Sequence, residues 1–74
     1  MDLKFRDYYG RYTRVHDRTA SGNVIIEIKT CNDLNQCRLK KDDDKWDIET
    51  DISLDEKQVN LLIHALHSTL QTEE

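Results

Sequence analysis

Residues 46–54 alternate without a slip, and this constrains the fold more than any other stretch. Trp46, Ile48, Thr50, Ile52 and Leu54 point one way, and Asp47, Glu49, Asp51 and Ser53 point the other. A period of two over this length is the signature of a strand with one buried face. The stretch runs into Ser53-Leu54-Asp55-Glu56, which reads as a capping box with Ser53 as the cap. Val59, Leu62, Ile63, Leu66 and Leu70 then recur at spacings of three and four, one apolar stripe of a helix over about 54–70. The sequence predicts that this stripe lies over Ile48 and Ile52.

Three further segments supply strands. Arg11–Asp17 and Val24–Thr30 are rich in strand-favouring residues, and Thr19–Gly22 between them reads as a turn with Gly22 at positive φ. Pairing them sets Val15 against Ile26, Arg14 against Glu27 and Tyr12 against Lys29, a register that satisfies both apolar and charge patterns. Gln36–Lys41 reads as the next strand, with Cys37 and Leu39 facing in. It would pair with 46–54 through Leu39 opposite Ile48, Lys40 opposite Asp47 and Arg38 opposite Glu49. Residues 2–9 are ambiguous between strand and helix turn, so 1–10 is taken as an N-terminal arm and 11–74 as one small domain. The expected fold is α+β, a four-stranded antiparallel β-meander with one C-terminal α-helix packed on one face. Ile25, Tyr12, Leu34 and Leu61 would then point away from the core, which allows self-association or a protein partner.

The 74 residues carry a net charge of −4, unevenly spread. Residues 1–41 have nine Lys/Arg against five Asp/Glu, and residues 42–74 have two against ten. Such asymmetry points to a charged partner, or to two halves that face each other. Two acid-base patterns could carry function. The first is the acidic strip of Asp42, Asp43, Asp44, Asp47, Glu49 and Asp51. Carboxylates two apart on a strand lie about 6.6–6.8 Å apart, close to twice the phosphate spacing of a DNA strand. Such a strip suits a basic protein partner, including one that handles nucleic acid, in the manner of small phage-type inhibitors. The competing reading is internal pairing with neighbouring strands. The second pattern is the basic-aromatic segment containing Arg11, Tyr12, Arg14 and His16, a combination that can hold single-stranded nucleic acid.

Other chemistries find little support. No Gly-rich phosphate loop, nucleophile elbow or zinc-spaced ligand set is present, so no enzyme activity, metal or cofactor is expected. Cys31 and Cys37 read as reduced thiols, Cys31 facing out and Cys37 in, and so unable to bridge. With no apolar leader and no membrane-length run, the expected location is cytoplasmic.

Arg11-Tyr12, Val15, Asp17, Gly22, Val24, Ile26 and Ile28, followed by Ile52-Ser53-Leu54 entering a helix, resemble the single-stranded-DNA-binding transcriptional coactivator family. That family combines a curved antiparallel sheet with a C-terminal dimerising helix. The resemblance covers about half the chain and implies a dimer that binds single strands through Arg11, Tyr12, Arg14 and His16. It also implies a lysine-rich groove, whereas the last strands here are acidic, and 36–50 has no counterpart.

Overall fold

The computed structural model describes residues 1–18 and 22–71. Four antiparallel strands form one open sheet in the order β1-β2-β3-β4: β1 (Asp2–Arg6), β2 (Tyr12–Arg18), β3 (Asn23–Thr30) and β4 (Ile48–Leu54). A C-terminal helix, α1 (Glu56–Gln71), packs against it. This is the α+β architecture the sequence predicts, but one strand has changed identity. The β2–β3 register is the expected one, with Val15 opposite Ile26, Arg14 opposite Glu27 and Tyr12 opposite Lys29. The fourth strand is β1, which pairs with β2 through Leu3 opposite Val15 and Phe5 opposite Thr13. Of the two readings of 2–9, the alternation of Leu3 and Phe5 wins because β2 offers a matching apolar row.

Residues 34–39 are not a strand. They form a short 3-10 helix, Leu34–Leu39. Asp33 caps it, its carboxylate accepting from the Asn35 amide at 3.0 Å. This local side-chain bond offers the backbone an alternative to a sheet ladder. Two alternating apolar residues were too few to outweigh it, and Leu39 is exposed. The expected pairs Leu39–Ile48, Lys40–Asp47 and Arg38–Glu49 therefore do not form. β4 pairs instead with β3, setting Glu49 opposite Lys29, Asp51 opposite Glu27 and Ile52 opposite Ile26.

Two corrections follow at the ends of β4. Trp46 lies outside the strand, because the Asp47 carboxylate accepts from the Asn32 amide at 2.9 Å and turns the chain just before Ile48. The helix cap is Asp55, two residues beyond the predicted Ser53. Its side chain accepts from the Gln58 amide at 2.8 Å, and the Gln58 side chain accepts from the Asp55 amide at 3.0 Å. This is a capping box shifted by two, with Ser53 left in β4 opposite Ile25.

The well-packed core lies on the side of the sheet away from the α1 stripe. Tyr12, Cys31, Cys37 and Trp46 cluster there, with Cys37 fully buried. Tyr12 shares its face with Arg14, His16 and Lys29, the face expected to be outward, yet it is 7% exposed. Ile25, expected to point away from the core on that same face, is likewise buried. Both cysteines are buried and in contact, against the expectation that Cys31 faces out. The Cys37 Sγ accepts from the Cys31 amide at 3.4 Å. Burial pushes the Cys31 thiol up, helped by its bond to Cys37. Burial also acts to raise Cys37, but the Thr30 hydroxyl and the Cys31 amide outweigh it and bring that thiol down.

Arg6 holds this layer in place. Its Nη1 donates to the carbonyls of Gly10 at 2.9 Å and Cys37 at 3.1 Å, and its Nη2 to the carbonyl of Lys40 at 2.7 Å. Nε and Nη2 fork onto Asp42 Oδ1, and the guanidinium lies 5.1 Å from the centre of the Trp46 ring. One side chain thus ties β1, the 3-10 helix and the loop before β4 together.

Candidate interaction surfaces

The acidic strip is largely occupied with structural work. Asp42 is bound by Arg6 at 2.7 Å, the Asp44 carboxylate accepts from the Lys41 amide at 2.8 Å, and Asp47 caps Asn32. Glu49 pairs with Lys29 at 3.3 Å. Among the described residues, the side chains of Asp43 and Asp51 make no hydrogen bond or ion pair. Asp51 also stands directly opposite another carboxylate, Glu27, across the β3–β4 ladder. Like charges in that position destabilise a sheet. The strip is therefore two free carboxylates on an edge strand and its preceding loop, rather than a row of six.

The basic-aromatic segment is paired as well. Arg11 pairs with Asp7, and Arg14 forks onto Asp2 with bonds of 2.9 and 3.0 Å while reaching Glu27 at 3.9 Å. His16 Nε2 meets the same Glu27 carboxylate at 2.5 Å. Tyr12 is buried, and the Lys29 ammonium sits 5.2 Å from its ring centre. Exposed tyrosines are instead Tyr8 and Tyr9, on the β1–β2 turn. These pairs hold Asp2 below the usual carboxylate range, chiefly through its bond to Arg14. For Asp7, burial pushes up, but the Arg11 amide, the Arg11 guanidinium and the Tyr9 amide together hold it below that range.

The other face of the sheet is apolar and partly unfilled. Leu3 and Phe5 of β1, Val15 of β2, Ile26 and Ile28 of β3, and Ile48 and Ile52 of β4 share one sheet face. The helix stripe was expected to cover it. Instead α1 leaves a groove of about 450 Å³, lined by side chains such as Phe5, Val15, Ile26, Leu54, Leu62 and Leu66. Ile52 is 50% exposed and Leu66 is 56% exposed, and Ile48 is uncovered too. The expectation that Ile48 and Ile52 sit under the helix fails for a geometric reason. The Asp55 cap launches α1 from the β4 end that carries Leu54, so its contacts fall on β3 and β4 and are sparse. Among the described residues no titratable side chain lines the groove, and Met1, which does line it, has its ammonium paired with Asp17 at 3.1 Å. The sequence signalled each apolar row, through the alternation and through the 3-4 spacing. It held no signal for how far the two rows stand apart.

Among the described residues, no group of three or more His, Cys, Asp or Glu is placed to hold a metal ion. Nor, among the described residues, is any helix long and apolar enough to cross a membrane. Compared with protein-family models, with curated proteins and with solved structures, the chain matches none. The resemblance to single-stranded-DNA-binding coactivators rests on the residues that carry it.

Proposed function

We propose that this chain is a non-catalytic interaction protein that acts by docking through the apolar face between α1 and the sheet. The observation that carries this reading is the joint exposure of Leu62, Ile63 and Leu66, which line the groove, with Ile48 and Ile52 beside it on the same sheet face. Isolated exposed hydrophobics are ordinary, but a contiguous apolar surface of this kind marks an interaction site. The opposite face keeps a charged character, and Asp43 and Asp51 are the groups there that fit a second, basic protein surface. That keeps the regulator or inhibitor reading of the acidic strip, reduced to two residues. Binding of single strands through Arg11, Arg14 and His16 is the weaker alternative, since each of these already has a carboxylate partner.

The test is carbene footprinting of the full chain in its native extract and after unfolding. Labelling of Ile52, Leu62 and Leu66 should be suppressed in the native sample. Full labelling of all three in the extract would refute docking through this face.

A further inference from the structure

From this docking reading, on which it rests, we infer that the occupant of the apolar face is a second copy of the same chain. The helix stripe of each protomer lies over the open sheet of the other.

Three observations lead there. The first is area. By the mass scaling of folded monomers, a chain of 8.8 kDa exposes about 4,800 Å², yet this one exposes 6016 Å². The excess is about 1,200 Å² per copy, or about 2,400 Å² for two copies, within the 2,000–5,000 Å² typical of obligate homodimers. The second is shape. The radius of gyration is 14.2 Å, against about 11 Å for a compact chain of this length, and the molecule is a slab 18 Å thick. A slab this thin leaves broad faces open, and the exposed Ile28, Ile48, Ile52, Leu62 and Leu66 belong to the side on which α1 packs.

The third is complementarity. A two-fold interface must be self-complementary, each patch meeting its counterpart. The apolar surface has two unlike halves: a ridge, with Leu66 and the overhanging Leu70, and a trough, with Ile28, Ile48 and Ile52. A two-fold rotation sets ridge on trough twice. Charge agrees with this choice. Each copy is net −4, so copies repel wherever charged faces meet, but the groove lining carries no titratable side chain. The Asp17 carboxylate near Met1 at its rim is already paired with the Met1 ammonium at 3.1 Å, so it offers a basic peptide no free charge.

Sedimentation equilibrium of the full chain from 1 to about 500 μM tests the inference. The expected mass is twice 8.8 kDa. Leu70→Asp should weaken the dimer about 100-fold, because it forces an unpaired carboxylate into an apolar contact. Leu70 is exposed near the end of α1, so this change should leave the protomer folded. Leu61→Asp, on the other side of the helix, should leave the mass unchanged. If a variant proves unfolded, photo-leucine cross-linking in a mixture of light and heavy isotopic parent chains should still give mixed-mass dimers joined between α1 and β4.

A mass of one copy at every concentration, or of more than two, overturns the inference. So does a Leu70→Asp variant that is folded and still dimeric. A one-copy mass with the groove protected in extract would sink the dimer and leave the docking reading standing. A one-copy mass with the groove freely labelled would sink both.

Discussion

Arg6 offers the sharpest perturbation. A guanidinium has five N–H donors. Here they serve three main-chain carbonyls, Gly10, Cys37 and Lys40, and twice the Asp42 carboxylate. Hydrogen bonds to a charged group contribute about 1.5–3 kcal/mol each when well buried. The Arg6 side chain is about a third exposed, so each carbonyl bond is discounted to about 1 kcal/mol. The exposed Asp42 pair adds about 0.5 kcal/mol. Arg6→Ala should therefore cost about 3–4 kcal/mol, and it also uncovers the Trp46 ring. A chain of this length has about 4–11 kcal/mol in total, so the loss is a large fraction of its stability. Arg6→Lys keeps the charge but lacks the planar fork, and should recover no more than about half. Asp42→Asn should cost under about 1 kcal/mol. Urea unfolding at one fixed protein concentration, followed by far-UV circular dichroism and by Trp46 fluorescence, measures all three. If Arg6→Lys and Arg6→Ala both fell within about 0.5 kcal/mol of the parent, the view of Arg6 as the tie between β1 and the 34–42 segment would be wrong.

Four further outcomes are expected. Gly10 has φ +84°, and a Cβ there would lie 2.4 Å from Arg38 Cγ and 3.1 Å from the Arg38 amide nitrogen; Gly22, at φ +73°, has open space. Gly10→Ala should thus destabilise well beyond the roughly 1 kcal/mol that backbone strain alone imposes on Gly22→Ala, as read from urea midpoints. Asp55→Ala should cost about 1 kcal/mol through loss of the helix cap while Ser53→Ala costs little by that route, and equal effects would return the cap to Ser53. Asp51→Lys should stabilise the fold by about 0.2–1 kcal/mol, since it replaces a like-charged pair with Glu27 by an attractive one. Together with Asp43→Lys it should abolish the salt dependence of binding to a basic partner, and unchanged binding would remove the acidic surface from the proposal.

The acid limb gives the fourth. Asp2 and Asp7 have folded pKa values held below the ordinary 3.8. A depressed folded value means that their stabilisation is fully present above 3.8 and is lost as pH falls through the folded values. Urea midpoints should hold from neutrality to about pH 4 on their account and drop below it. Asp7→Asn should flatten that drop while lowering the plateau; a parent-like acid slope in Asp7→Asn would exclude Asp7 as a source.

What the sequence determined by itself was local. Strict alternation fixes which residues of β4 share a face, and the 3-4 spacing fixes the helix stripe, because both follow from backbone period. The β2–β3 register was legible because apolar and charged rows agree on one pairing. The tertiary structure decided the rest. Leu3 and Phe5 became a strand once Val15 and Thr13 stood beside them, while Gln36–Lys41 lost its strand to the Asp33 cap and the burial of Cys37. Lys29, rather than Arg38, neutralised Glu49, since β4 joined β3. Trp46 crossed to the other face under Arg6, a contact between residues forty positions apart that no local pattern encodes. The coverage of the apolar face was decided last, by the direction in which α1 leaves the Asp55 cap. That direction is a property of the whole backbone, and it leaves Ile48 and Ile52 open for another surface to bury.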